Sequence, residues 1–316
     1  MNRAREKFSF VRVIVALGTC FTKTVKSLSL LCEHGVAYSK AFSNFIIALS
    51  FRCGYFPKGQ RITINTRTGK KLVVCRSADC LVLDQITKRP SSVVISEDHL
   101  LIDGVKLRQG TSDTYIYKEI FKDRVYDRCL DLINRDSVII DAGMHVGIFS
   151  ILVAPFVKKV IGVEASRDNF LLAIDNLEHN NLCSKVTPLN RALWSKSNVP
   201  MILDNEIAGD LTGNFRVKQS NGAAGTVLSL TLRDIIKESG AERLSLMKMD
   251  IEGSEYEVLM NDPTTLSCID NLLIEYHKDI TQRYTEDELF ALLKAHYKFL
   301  TTVQRRKNSG VILAYN

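Results

Sequence analysis

No two cysteines in this chain are spaced C-x-x-C. The eight fall at 20, 32, 53, 75, 80, 129, 183 and 268, and the nearest pair, Cys75 and Cys80, has no second half at zinc spacing. That excludes a structural zinc and reads as buried apolar cysteines in a reducing compartment. Internal repeats and low-complexity tracts are also missing, and nothing in the composition suggests disorder. No apolar run approaches the ~20 residues that span a bilayer. Val13–Phe21 follows Arg3, Arg5, Lys7 and Arg12 in the outline of a signal peptide, but Lys23 and Lys26 interrupt it and no small-x-small site follows. A cytoplasmic protein is therefore expected. Its residues 1–52 are read as a helical cap, with peripheral contact to an anionic membrane as the alternative.

What is present begins with charge. The 316 residues carry 42 Lys and Arg against 35 Asp and Glu. Residues 1–60 hold nine basic residues and two acids, so the other 256 balance at 33 of each sign. A balanced main domain argues against a surface for phosphate backbones, and no nucleic-acid partner is expected.

Three segments are expected. Residues 1–60 read as a basic helical segment. Residues 61–130 read as a small β-rich module with a connecting helix. Within it Arg61–Asn65 and Lys71–Cys75 flank a hairpin turn, and Leu100–Ile102 and Val105–Leu107 flank Asp103-Gly104. A helical pattern then runs from Tyr115 through Tyr126 and Leu130. Residues 131–316 alternate strands and helices. The strands are predicted at Ser137–Asp141, Lys159–Glu164, Lys185–Asn190, Leu244–Asp250, Asn271–Tyr276, Tyr297–Thr302 and Val311–Tyr315. The clearest helices are Arg167–Asn180, Leu230–Ser239, Ser254–Met260 and Glu286–His296. Alternation at this spacing gives βαβ units and a mostly parallel sheet, while the short Gln304–Gly310 linker predicts a terminal hairpin with one antiparallel strand.

Three motifs carry chemistry. In Val138-Ile139-Ile140-Asp141-Ala142-Gly143-Met144-His145-Val146-Gly147 an apolar strand meets an acid, a glycine turn and a helix start. The spacing is D-x-G-x-x-x-G, and the G-x-G-x-x-G of dinucleotide enzymes is absent. An acid at the strand end would repel a pyrophosphate, whereas a ligand bearing an ammonium or sulfonium tolerates it. Glu164 ends the next strand, 21 residues after Gly143, where a carboxylate can accept from both hydroxyls of a ribose. In Lys248-Met249-Asp250-Ile251-Glu252-Gly253-Ser254-Glu255 three carboxylates crowd one corner of the sheet, where like charges raise one another's pKa. Such a corner suits a general base, and Asp250 and Glu252 could also hold a divalent metal. Glu275-Tyr276-His277 closes the following strand. His277, with an unperturbed pKa of ~6.5, is a second candidate base, and Glu275 joins the acidic edge.

The stretches DAGMHVGIFS (141–150), GVEASRDNFLLAIDN (162–176), LTLRDI (230–235), MKMDIEGSEYEVL (247–259) and LLIEYH (272–277) resemble, in order, the FkbM family of S-adenosylmethionine (SAM)-dependent methyltransferases. The chain departs from the usual family pattern at Met144-His145, where Ala-Asn is common, and at Ser166, where Pro is common. The resemblance implies a Rossmann-like SAM-methyltransferase fold with seven strands, the last antiparallel. It implies methyl transfer, commonly to a hydroxyl of a small molecule, sugar or glycan. Asp141, Gly143, Gly147 and Glu164 map to SAM binding, and Asp250, Glu252 and Glu255 to the active-site edge. Asp250, His277 and Glu252 are the expected catalytic groups. The rival expectation is a catalytically silent binding module on the same fold.

Overall fold

The computed structural model describes residues 34–57, 59–75, 77–205, 215–220, 227–277, 283–306 and 309–316. The chain divides into two compact units, Met1–Leu100 and Leu101–Asn316. The segment 61–130, expected as one module, is shared between them. The Val13–Phe21 run and most of the basic N-terminal segment lie outside the described residues.

In the first unit, α1 (Phe45–Arg52) is followed by β1 (Ile62–Asn65) and β2 (Lys71–Val74). The two strands pair antiparallel from Ile62↔Val74 to Asn65↔Lys71, as the hairpin pattern predicts. Then come α2 (Cys80–Lys88) and β3 (Val93–Ile95). Ile64, Leu72, Val74 and Leu83 are fully buried and form its core. The next hairpin joins β4 (His99–Ile102) to β5 (Val105–Arg108). Its turn residues Asp103 and Gly104 both take positive φ, 48° and 82°, the geometry that a two-residue hairpin turn requires.

The helical pattern expected from Tyr115 to Leu130 is broken. The α-helix α3 (Asp113–Tyr117) passes into a π-turn at Lys118–Lys122, and a 3-10 turn follows at Asp127–Leu132. Arg124, at φ 56°, sits in the left-handed region between them, which no continuous helix accommodates.

The large sheet of the second unit runs β6 (Val138–Ala142), β7 (Lys159–Glu164), β8 (Val186–Asn190), β13 (Leu246–Met249), β14 (Asn271–His277), β15 (Phe299–Arg305) and β16 (Ser309–Tyr315). Its order in space is β15-β16-β14-β13-β6-β7-β8. β6, β7, β8, β13 and β14 pair in parallel, and β16 lies antiparallel between β14 and β15. Every residue of β6 and β13 is buried, as expected of parallel strands at the centre of a sheet. Helices α4 (Ile148–Val153), α5 (Arg167–His179), α6 (Leu232–Ser239), α7 (Glu255–Asn261) and α8 (Glu286–His296) alternate with the strands. Helix starts are set chemically. Thr231 with Asp234, and Thr285 with Glu288, form capping boxes at α6 and α8. This is the Rossmann-like architecture with one antiparallel strand that the resemblance implies.

One element was not foreseen. Between β8 and α6, the strands β9 (Ala192–Leu193), β10 (Pro200–Asn205), β11 (Phe215–Gln219) and β12 (Val227–Leu230) form a second sheet. It packs over Ala192, Trp194, Met201, Val217 and Val227. The glycine-containing Asn221–Gly225 lies outside the described residues. Among those residues no helix is long and apolar enough to cross a membrane.

Candidate active site

The parallel strands deliver two clusters to neighbouring corners at their C-terminal ends. At the first, β6 ends and the chain turns through Gly143 (φ 75°), His145 (φ 54°) and Gly147 (φ 86°) before α4 begins. The amides of Gly143 and Met144 both donate to the Val163 carbonyl at 2.9 Å. A Cβ on Gly143 would collide with the Asp250 carbonyl, so position 143 needs glycine both for its φ and for the space. Asp141 is fully buried and faces the protein. Its Oδ2 accepts from the Ser150 hydroxyl at 2.7 Å, and its Oδ1 lies 3.6 Å from Lys248 Nζ. Burial raises its pKa and outweighs the pull of Lys248.

Glu164, at the end of β7, accepts the His145 amide on Oε2 (2.8 Å). Its Oε1 accepts the Ser166 amide (2.8 Å) and Asn169 Nδ2 (3.4 Å). A carboxylate has about four acceptor positions, so among the described residues roughly one stays open, on Oε2. The sequence suggested grip on two hydroxyls; these bonds leave room for one. Burial raises the Glu164 pKa despite the amide donors. Met144 and His145, the bulky departures in the loop, are both accommodated by the protein. Met144 is 2% exposed and packs where a Cβ on Gly162 would stand, while the His145 ring lies beside Asp113.

The second corner is the acidic one. The Asp250 amide donates to the Ala142 carbonyl at 3.0 Å, which ties the end of β13 to the end of β6. The chain then turns through Glu252 (φ 55°) and Gly253 (φ 100°) into α7. Glu255, fully buried at the first position of α7, accepts the Ile251 amide at 3.1 Å on Oε1 and meets His277 Nδ1 at 3.2 Å. Among the described residues its Oε2 has no hydrogen-bond partner. On the other side of the ring, His277 Nε2 lies 3.6 Å from Glu252 Oε2 and 3.8 Å from Glu275 Oε1. Glu275 accepts from the Tyr126 hydroxyl at 3.2 Å and pairs with Arg306, whose Nη2 also donates to Glu119 at 2.6 Å.

This crowding shifts protons. Burial, then repulsion from Asp250, pushes Glu252 up to about 8 and Glu275 up to about 7. Burial alone would pull His277 down, but Glu255, Glu252 and Asp250 carry it up to about 10. At neutral pH the His277 ring therefore carries both protons and donates. The carboxylates around the ring thus favour its protonated form, which differs from the ordinary pKa on which the expectation of a base was founded. Ligand atoms of Asp250, Glu252 and His277 all lie within 4.8 Å of one another, so the metal-capable pair read from the sequence gains an imidazole.

The structure thus brings Asp141, Gly143, Gly147 and Glu164 to one corner and Asp250, Glu252, Glu255, Glu275 and His277 to the other. Sequence reasoning passed over Lys248. It is buried between the corners, donates to the Gly143 carbonyl at 2.8 Å and lies 3.7 Å from Asp250 Oδ2. A lysine inside an otherwise apolar central strand was the available signal. Tyr126, Glu119 and Arg306 were missed as well, and no local pattern announces partners so distant in the chain.

A mostly parallel seven-strand sheet with a glycine turn and an acidic loop at its C-terminal edge matches the Rossmann-like methyltransferase class. The methyltransferase FkbM domain matches residues 141–300, about half of the chain, and the chain belongs to that family. Methyltransferase sdnD of Sordaria araneosa is 28% identical over 194 residues, 51% of this chain and 73% of its own length. The AMB antimetabolite synthetase AmbE of Pseudomonas aeruginosa is 24% identical over 228 residues, 58% of this chain but only 10% of that protein. Among solved structures, the methyltransferase FkbM from Methylobacillus flagellatus KT is similar with a TM-score of 0.37 and 18% identity, covering 57% of this chain and 44% of that one. M. capricolum TrmK in complex with S-adenosylhomocysteine has a TM-score of 0.38 and 13% identity, covering 62% of this chain and 69% of that one. At such scores neither structure bears on the ligands of this chain.

Proposed function

We propose that this methyltransferase takes its methyl group from SAM and delivers it to a hydroxyl of a small molecule, sugar or glycan. The observation that carries the reading is the junction of the two corners. The Gly143 turn touches the Asp250 backbone, and Lys248 bridges them, so a ligand held on the loop meets the acidic cluster directly.

The donor set fits SAM. Glu164 keeps an acceptor position for a ribose hydroxyl, and the surplus of carboxylates suits a ligand bearing an ammonium and a sulfonium. SAM, when bound, supplies an electrophilic methyl carbon on sulfur. The protein's own contribution is alignment, which can lower a barrier by ~7–11 kcal/mol, and management of the acceptor's proton. Asp250, with Glu252 beside it, is the group proposed to take that proton. The doubly protonated His277 holds Glu252 and Glu255 in place.

A second reading is favoured by the 4.8 Å grouping of Asp250, Glu252 and His277. A divalent ion held there would lower the acceptor hydroxyl's pKa, and the carboxylates would act as ligands. Unchanged turnover after chelation and dialysis would exclude it. Turnover lost on chelation and regained with Mn²⁺ or Mg²⁺ would replace the base reading.

Calorimetric titration of SAM, S-adenosylhomocysteine and NAD into the wild type and Glu164→Ala tests the cofactor. Binding of the first two, weakened in the variant and absent for NAD, is expected. Labelled methyl transfer to a panel of sugars and polyketide alcohols then tests the activity. A protein that binds SAM yet methylates none of them and shows no slow hydrolysis of SAM would instead be the silent module.

A further inference from the structure

Arg108 closes β5 and Asp113 opens α3, both upstream of residue 141, where the family match begins. Neither belongs to a motif the sequence singles out, yet they are wired to the cofactor corner. Asp113 is fully buried and accepts three hydrogen bonds from Arg108: the amide at 2.8 Å, Nε at 2.9 Å and Nη2 at 2.8 Å. Its Oδ1 also lies 3.4 Å from His145 Nε2. Burial would raise the Asp113 pKa, but the His145 ring and the Arg108 fork more than offset it and hold it low. Arg108 Nη2 reaches further, donating to Asn169 Oδ1 at 2.7 Å. Asn169 Nδ2 in turn approaches Glu164 Oε1 at 3.4 Å, and the His145 amide binds Glu164 Oε2 at 2.8 Å.

The contacts close a circuit through Glu164, Asn169, Arg108, Asp113, His145 and back to Glu164. Its logic is orientational. A carboxamide has a donor end and an acceptor end, and a guanidinium can only donate. Arg108 therefore fixes Asn169 with its oxygen outward and its amide toward Glu164. Flipped, Asn169 would set oxygen against oxygen at the carboxylate. On the opposite arm His145 holds a left-handed backbone (φ 54°), uncommon for a residue with a side chain, and Asp113 anchors its ring. That anchor keeps the His145 amide on Glu164.

We propose that Arg108 and Asp113 are positioning residues of the cofactor pocket. Acting through Asn169 and His145, they hold Glu164 in the one arrangement that leaves Oε2 an acceptor position for a ribose hydroxyl. This rests on the SAM reading above and extends it: the segment 101–117 is a working part of the pocket, outside the matched family region.

The test is a double-mutant cycle on S-adenosylhomocysteine affinity, read by calorimetry with thermal melts alongside. Arg108→Lys keeps the positive charge but lacks the fork that spans Asp113 and Asn169. It is expected to weaken binding roughly ten-fold in the wild-type background, the scale of one hydrogen bond to a charged group. Turnover at saturating SAM should stay within about two-fold of wild type. In a Glu164→Gln background the same substitution should cost nothing further, because the group it positions is gone. Asn169→Ala should show the same pattern and serves if Arg108→Lys melts below the assay temperature. Equal losses in both backgrounds, or no loss in the wild-type background, would overturn the proposal while leaving the SAM reading intact. A wild type that binds neither SAM nor S-adenosylhomocysteine would overturn both.

Discussion

The two corners of the sheet edge hold similar numbers of acids and treat them in opposite ways. At the ends of β6 and β7, and at the start of α3 beside them, each carboxylate has donors from the protein: Asp141 from Ser150, Glu164 from two amides and Asn169, Asp113 from Arg108. At the end of β13 and β14 the acids Asp250, Glu252, Glu255 and Glu275 share His277, Arg306 and the edge of Lys248. The first corner is finished before a ligand arrives. The second is short of positive charge, and its protonation is poised to change. A binding corner gains from rigidity, whereas a reacting corner gains from groups whose pKa lies near the working pH.

The sharpest way to break this division is to damage the hinge between the corners. Gly143→Ala puts a methyl group onto the Asp250 carbonyl and forces a positive φ on alanine. It should lower stability by about 2–5 kcal/mol in chemical denaturation and abolish SAM binding, harming both corners together. Asp250→Asn should separate them. Turnover is expected to fall about 100-fold or more, while the calorimetric affinity for S-adenosylhomocysteine changes far less. Equal losses in both would mean that the acidic corner also holds the cofactor.

The smallest expected effect is on thermal stability against pH. Glu252 rises from 4.5 to about 8 on folding and His277 from 6.5 to about 10, so the folded state binds more protons than the unfolded state throughout that range. Stability must then fall as pH rises. The Glu252 contribution is complete below about pH 4.5 and gone above about 8. That of His277 is complete below about 6.5 and gone above about 10. Melting temperature should drop by a few degrees between pH 6 and 10, and Glu252→Gln should flatten the lower half of the curve. A flat wild-type profile would show that the corner is not short of positive charge.

Much of this was legible in the sequence where the signal is local. Lys159–Glu164 and Glu286–His296 have their predicted bounds, the first because a β-branched run ends in an acid, the second because Thr285 and Glu288 cap the helix. The acids of the second corner are also local, gathered within a few residues of two strand ends. The β9–β12 sheet was not legible, since its strands are short and separated by polar, glycine-containing stretches. Nor were the contacts that fix the acids. Arg306 meets Glu119 across 187 residues, and Arg108 meets Asn169 across 61. The upward pKa shift of His277 was not legible for a related reason: its ordinary pKa says nothing of the carboxylates folding places around it.

The collision that forbids a side chain at Gly143 has a thermodynamic corollary. Because the loop lies directly on the Asp250 backbone and Lys248 contacts both, a shift of either corner must disturb the contacts of the other. On the proposed reading, with SAM on the loop and the acceptor at the acidic corner, any factor by which one changes the affinity of the other acts equally in both directions. A factor above one would favour the ternary complex over either binary one, and a factor below one would disfavour it.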